Sequence, residues 1–402
     1  MQVILLDLGK EMRGGQRQVL YLARFLTEHP EYADEFSPII ACPASSPLRA
    51  EAEKSGVHVL PLRGRRFWNP CLVMQFRGFI NKQIRRHREL GGTGPALLIH
   101  TNDAHAASLG AITAKGNDQI RLMHTRRVSY ALHPGKRSAK YLQADLIAAV
   151  SAEIGDVLIQ GGISKDKIRV IHSGIDPSLY LTRGDNEKQG TEPGNAVRDK
   201  KPAQGSSSIN KTRFVIVGAL TAQKGHEVLL RAMSLLKNTP PGPDIQPMPD
   251  FEVSVFGEGA LGDDLRKLAV ELGIEDLISF MGHRETKSEL SNCDILLSPS
   301  VDGEGSSAAI KEGWAVGLPV IVSDLPSNLE LVEAGKDGLV VKTGDPASLA
   351  QAMCNLALDQ DLRSCLAQSG RKKLENFTSE AMAKSYVAVY RELSSHDGKK
   401  LA

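Results

Sequence analysis

Two glutamates eight positions apart bracket the start of a helix in Glu304-Gly-Ser-Ser-Ala-Ala-Ile-Lys-Glu312, which follows an apolar run at Asp294–Ser298 and precedes another at Val320. Gly305, Ser306 and Ser307 open that helix, and free amides at a helix N-terminus form an anion site suited to a diphosphate. Glu312 can accept from a ribose diol, and Glu304 can reach the hydroxyls of a sugar. The same spacing also arises where acids merely complement a helix dipole, so the pattern alone leaves both readings open. The five cysteines (Cys42, Cys71, Cys293, Cys354, Cys365) are odd in number and scattered, with no Cys-x-x-Cys pair and no histidine at ligand spacing. Neither a disulfide frame nor a zinc site is suggested, and a reducing compartment is expected.

These side chains need a frame. A chain of 402 residues, 41% hydrophobic and 24% charged with a net charge of +2, has the composition of a globular protein and the length for two cores. The N-terminal Met1–Gly9 reads as a buried strand running into a glycine turn, without a signal-peptide pattern, and no apolar run reaches a membrane-spanning length. Strand-like runs at Val3–Leu6, Ser37–Ala41, Val57–Leu60, Ala96–Ile99 and Leu146–Val150 alternate with helix-length segments such as Gln16–Glu28. The rhythm restarts at Phe214–Gly218 and continues through Phe251–Phe256, Leu277–Met281, Ile295–Leu297, Val320–Val322 and Leu339–Val341. Such alternation predicts α/β architecture with two Rossmann-like, parallel-sheet halves. The boundaries expected are 1–175 for the first domain, 176–212 for a hinge and polar linker (Gly/Ser-rich from Thr182 to Lys211), and 213–377 for the second. A proline-rich loop is expected over Asn238–Asp250, and a final helix, Thr378–Leu393, carries Met382, Tyr386, Val389 and Tyr390 on one stripe.

The segment from Glu304 to Asp324 resembles the E-x7-E block of the family-four retaining glycosyltransferases, and further resemblances follow in the family's order. Val170–Asp176 is similar to its hinge, Val217–His226 to its second-domain phosphate loop, and Phe256–Gly259 and Ile278–Gly282 to its next strand ends. Arg13-Gly14-Gly15 resembles the glycine pair that lets the first helix approach donor phosphates and acceptor. The resemblance implies a GT-B fold: two Rossmann-like domains facing across a cleft, with the last helix, within 378–402, crossing back to the first. It also implies transfer of a sugar from a nucleoside-diphosphate-sugar to a glycan or lipid-linked acceptor in cell-envelope polysaccharide or lipopolysaccharide synthesis. Glu304 then serves the donor sugar, Glu312 the ribose and Lys224 the diphosphate. Leu122–Arg127 resembles the strand end that sends a histidine toward the transferred sugar, which makes His124 the candidate, with a hydrogen-bonded structural histidine as the alternative. Asp103, one strand earlier, competes with it. The arginine usual after the phosphate-loop glycine is Ala219 here, so either Lys224 with the helix amides suffices or Arg126 substitutes. In a retaining transfer on this scaffold the departing phosphate oxygen takes the acceptor's proton. No cofactor and no metal are expected beyond the nucleotide-sugar itself, and there is no Asp-x-Asp motif of the kind that holds Mg²⁺.

Three other readings are available. Gly257–Gly262 satisfies a dinucleotide fingerprint, yet that motif belongs after a domain's first strand, and Phe214–Gly218 precedes it. A nucleotide-sugar epimerase shares the fold, and a non-catalytic scaffold could keep it. Between Leu62 and Leu90, eight basic residues face the single acid Glu89, with Phe67, Trp68, Phe76 and Phe79 interleaved. Such a patch suits an anionic membrane surface, which places the protein in the cytoplasm or on the inner face of the membrane; the alternative is a solvated helix whose aromatics face the core. Nucleic acid is not expected, because no binding motif accompanies the charge.

Overall fold

The computed structural model describes residues 1–132, 138–180, 211–238 and 248–395. Nearly all of the expected polar linker and most of the proline-rich loop fall outside the described residues. The chain divides into two compact units, Met1–Gly174 with Phe377–Ala402, and Ile175–Asn376.

The first unit is built on a seven-stranded sheet in the order β3-β2-β1-β4-β5-β6-β7. Its strands are β1 (Gln2–Leu6), β2 (Ser37–Pro43), β3 (Val59–Leu62), β4 (Leu97–Thr101), β5 (Ile120–Arg126), β6 (Leu146–Ala149) and β7 (Ile168–Val170). All neighbours pair in parallel. A parallel strand is covered on both faces, which is why β1 reads as the unbroken apolar run Val3-Ile-Leu-Leu6. On one face Val19, Leu22, Phe25 and Leu26 of the first helix (Gly14–Glu28) pack with Met382, Tyr386 and Tyr390 of the last helix (Ser379–Ser395). On the other, Leu72, Phe76, Ile80 and Ile84 of the basic helix (Pro70–Glu89) pack with Leu109, Ile154 and Leu158.

The chain leaves the first unit at Gly174 and re-enters it at Phe377. There Gln18 holds Gly174 from both sides, its Nε2 donating to the Gly174 carbonyl and its Oε1 accepting from the Gly174 amide, each at 2.8 Å. A Cβ on Gly174 would stand 2.4 Å from the Thr378 carbonyl oxygen, so no larger residue fits this crossing.

The second unit carries a six-stranded parallel sheet in the order β10-β9-β8-β11-β12-β13. These are β8 (Thr212–Val217), β9 (Phe251–Phe256), β10 (Ile278–Phe280), β11 (Ile295–Ser298), β12 (Val320–Ser323) and β13 (Leu339–Val341). Gly257–Gly262 therefore follows the second strand of its unit, β9, as the objection to a dinucleotide site requires. Strand order reverses once in each sheet, beside β1 and β4 in the first and beside β8 and β11 in the second. Ligands of open α/β sheets bind outside the carboxyl ends of the strands at these points.

Candidate active site

In the second unit, β8 runs into the turn Gly218–Gly225 and β11 into the loop 299–307. The two meet closely. A Cβ on Gly225, whose φ is +70°, would fall 1.9 Å from the Pro299 carbonyl oxygen, so only glycine permits this approach. It brings Lys224 and Glu304 together, with Lys224 Nζ 2.5 Å from Glu304 Oε1. The hydroxyl of Ser300 donates to the same oxygen at 2.5 Å, and Gln223 Nε2 donates to the Gly303 carbonyl at 2.6 Å. Glu304 is 6% exposed, so its charge depends on Lys224 and Ser300.

Gly305 and Ser306 are half-buried ahead of the motif helix (Ala308–Val316), and Ser307, its N-cap, is buried. Ser307 makes no side-chain cap, which leaves the first amides of the helix without a hydroxyl partner from that residue. Glu312, also buried, accepts from the Tyr180 hydroxyl at 3.1 Å. Next to Lys224, His226 is buried; burial and then the Lys224 charge push its pKa down to about 4, so it is neutral. Lys224, Glu304 and the helix start thus share one crevice at the switch point of the second sheet.

In the first unit the crevice at β1 and β4 is lined by residues of opposite charge. Asp7, directly after β1, accepts from the Gly9 amide at 2.8 Å and from Gln16 Nε2 at 2.9 Å, and Gln16 Oε1 in turn accepts from the Arg13 amide at 3.2 Å. This chain of bonds fixes the start of the first helix, where a Cβ on Gly14 would meet nothing within 4 Å and one on Gly15 would stand 3.6 Å from Arg127 Cδ. Burial, then the nearby Asp103 carboxylate, raises the Asp7 carboxyl to about 6, against the hydrogen bonds and Arg127 that lower it. Asp103 is itself a cap: its Oδ1 accepts from the His105 and Ala106 amides at 2.7 and 3.0 Å, and its Oδ2 from the Leu8 amide at 2.5 Å. Those bonds make Asp103 the N-cap of the helix Ala104–Ala114 and tie that helix to the residue two past β1.

His124 is fully enclosed, with Nδ1 at 2.5 Å from Thr101 Oγ1 and Nε2 at 3.0 Å from the Lys140 carbonyl oxygen. Burial lowers its pKa to about 4. The ring that the resemblance directs toward the transferred sugar is here a neutral crosslink between β4, β5 and the 138–142 turn, with both nitrogens engaged. Arg126 likewise lies buried in the first unit, its guanidinium 5.5 Å from the Tyr141 ring and donating to the Tyr130 carbonyl. The structure groups Arg126 with His124, Lys140 and Tyr141, and groups Lys224 with Glu304, in separate units.

Two family models match the chain: Glycosyltransferase Family 4 over residues 12–179, and Glycosyl transferases group 1 over residues 211–359. The chain belongs to family four of the glycosyltransferases. Among its relatives, the D-inositol 3-phosphate glycosyltransferase of Corynebacterium jeikeium is 29% identical over 63% of the chain and 59% of its own length. The amylovoran biosynthesis glycosyltransferase AmsK of Erwinia amylovora is 27% identical over 74% of the chain and 68% of its own length. The chain spans about three fifths of the length of the first relatives it matches. Among solved structures, Anabaena HepE in complex with UDP aligns with a TM-score of 0.72 at 18% identity, covering 98% of this chain and all of that one, a likeness of fold. The two Rossmann-like sheets are those of the GT-B architecture.

Several residues of the two crevices carried no sequence signal. Asp7, Gln16 and Arg127 in the first unit, and Ser300, Tyr180 and Lys311 in the second, enter only through their neighbours; Ser300 alone, a polar residue just past a buried strand, stood where it could have been sought. The Asp-x-Asp spacing does occur once, at Asp359-Gln-Asp361, but Asp359 is the N-cap of the helix Gln360–Lys373, accepting from the Leu362 amide at 2.8 Å. No three His, Cys, Asp or Glu side chains converge at metal-binding distance among the described residues.

Proposed function

We propose that this chain transfers a glycosyl group, with retention, from a nucleoside-diphosphate-sugar to a glycan or lipid-linked acceptor in the assembly of a cell-surface polysaccharide or lipopolysaccharide. The observation that carries the reading is the Lys224–Glu304 pair at the N-terminus of the motif helix, with Glu312 and Tyr180 one turn deeper. A diphosphate fits the amides and Lys224, a ribose diol fits Glu312, and Glu304 is set to exchange its lysine contact for sugar hydroxyls. On transfer, the bond from the anomeric carbon to the phosphate oxygen breaks as the acceptor oxygen bonds that carbon, and the hydroxyl proton passes to the departing phosphate oxygen. The chain's task is to hold the diphosphate charge and orient both partners, for which no carboxylate base is required. The relatives' part in polymer synthesis and the UDP and UDP-glucose held by HepE support this class of donor and product.

The reading is tested by nucleotide release from a panel of UDP-, GDP- and ADP-sugars in excess chelator, after a thermal-shift screen with the free diphosphates. Release from one donor class, undiminished by chelation, is expected, because Lys224 and the helix amides hold the phosphates without a metal. Activity that disappears with chelator and returns with Mg²⁺ would overturn the account of the leaving-group site. An epimerase instead converts the donor sugar without an acceptor and with no net release of nucleotide, which chromatography of the recovered nucleotide-sugar reveals.

Membrane attachment is the location this function favours. Arg63, Arg65, Arg66, Arg77, Lys82, Arg85, Arg86 and Arg88 are all exposed, as are Trp68 (57%) and Met74 (73%), and the Arg66 guanidinium lies 5.5 Å from the Trp68 ring. Phe76 and Ile80, expected as part of the apolar contact, are core residues instead, and Phe79 is half-buried. Trp68 and Met74 therefore replace them as the exposed apolar groups. No helix among the described residues is long and apolar enough to cross a membrane. Co-sedimentation with phosphatidylglycerol vesicles is expected at low salt, to fall with added salt, and to drop when Arg65, Arg66, Arg85 and Arg86 become Ser, each basic residue contributing about 1 kcal/mol. A wild-type chain that stays in the supernatant would point to a soluble acceptor.

A further inference from the structure

Position 311 of the motif helix carries a lysine that is fully buried, and its Nζ lies 2.6 Å from the Ser306 hydroxyl oxygen. An ammonium has three donors and no acceptor, so in this bond Lys311 donates and Ser306 accepts. The one proton of the Ser306 hydroxyl is thereby directed away from Lys311. Ser306 is half-buried at the mouth of the crevice, two residues after Glu304 and two before the first residue of the helix. Among the described residues no acceptor takes its proton. A hydroxyl that accepts from a cation is polarised into a stronger donor, and hydrogen-bond chains strengthen in this way where the local dielectric is low.

The turn after β8 carries Ala219, at the position where the resemblance implies an arginine. Lys224 is held on the Glu304 side of the same crevice, 2.5 Å from that carboxylate. In the donor-site reading Lys224 is the cation assigned to the diphosphate, and a second positive source behind the motif-helix amides adds to it. Lys311 sits there, five residues along the helix from the Ser306 it touches, which suits a long side chain folding back over its own first turn toward the helix N-terminus.

We propose that Lys311 and Ser306 form a relay that presents positive charge to the donor diphosphate, with Ser306 as the contacting hydrogen-bond donor and Lys311 as the positioning residue that polarises and orients it. The proposal rests on the donor-site reading given above and identifies which part of the donor the pair serves. Its ligand is the phosphate portion; the base and the ribose lie outside its reach.

The full-length protein is titrated with UDP, GDP and ADP, and the tightest of the three is compared with its own nucleoside: uridine, guanosine or adenosine. Lys311→Met should weaken the diphosphate about tenfold while leaving the nucleoside unchanged, the size expected for one charge-assisted hydrogen bond. Ser306→Ala should do the same, Lys311→Arg should restore most of the loss, and the double variant Ser306→Ala with Lys311→Met should lose no more than either alone. Ser306→Ala removes only a half-buried hydroxyl and carries the test if Lys311→Met fails to fold. Unchanged diphosphate affinity in Ser306→Ala and Lys311→Met, equal losses for diphosphate and nucleoside, or fully additive losses in the double variant would each overturn the relay while the donor site stands. A wild-type chain that binds none of the three diphosphates overturns the donor site and the relay together.

Discussion

Replacing Lys224 by Met lowers nucleotide release from the preferred nucleotide-sugar by about 10²–10³-fold, the loss typical when one preorganised donor to developing negative charge is removed. The effect has two sources. The leaving diphosphate loses its direct cation, and Glu304, 6% exposed, keeps only Ser300 as a described partner and turns its uncompensated charge toward the phosphates. Lys224→Met combined with Glu304→Gln therefore regains part of the diphosphate affinity but none of the turnover, because the carboxylate proposed for the sugar is gone as well. Single-turnover release and a titration with the free diphosphate separate the two quantities. Wild-type turnover in Lys224→Met would remove the lysine from the leaving-group site and shift that role to the helix amides. Thermal melting also falls in Lys224→Met, because the buried Glu304 carboxylate is left without its cation, and it recovers when Glu304→Gln removes that charge.

The second large effect is on stability. His100, fully buried on β4, bonds through Nδ1 to the Tyr390 hydroxyl at 2.6 Å and through Nε2 to Thr125 Oγ1 at 2.7 Å, and Thr125 meets the Tyr386 hydroxyl at 3.0 Å. Burial drives the His100 pKa down to about 3, so the ring is neutral and one nitrogen donates while the other accepts. The Tyr390 ring also stands edge-on to Phe36, with centroids 5.6 Å apart. Removing the whole side chain in Tyr390→Ala both opens a cavity and strands His100. The expected cost is about 3–5 kcal/mol, while Tyr390→Phe, which removes only the hydroxyl, costs about 1–3 kcal/mol. Urea unfolding followed by circular dichroism should show the loss in the transition of the first unit, whose core the last helix completes. A Tyr390→Ala chain with the wild-type midpoint would mean that the last helix is not part of that core.

Much of the frame was readable from local pattern. Buried parallel strands must be continuously apolar, so Val3–Leu6, Phe214–Gly218 and Val320–Val322 announced themselves within a residue or two of β1, β8 and β12. The stripe Met382, Tyr386, Val389 and Tyr390 foretold the buried face of the last helix, because helical period is a property of neighbours three and four apart. The short β7, at the end of the first sheet, has little apolar run to show, and only its last residue, Val170, falls in the segment that resembles the hinge.

The site divides along the same line. Glu304, the helix start and Glu312 lie within one local segment, so their spacing alone brought them to attention, and Lys224 followed from the resemblance of its loop. Whether a polar side chain faces ligand or spends its bonds on the protein depends on residues far away in the chain. Asp103 caps its helix and holds Leu8, 95 positions back. His124 is closed between Thr101 and the Lys140 carbonyl. Phe76 and Ile80 turn inward because the first sheet lies beneath them. Sequence thus determined which elements form and where the reactive residue types stand along them. Only the tertiary structure decided which of those residues keep a free atom for a ligand, because satisfying a buried polar group takes partners that the folded sheet order, and not the local segment, supplies.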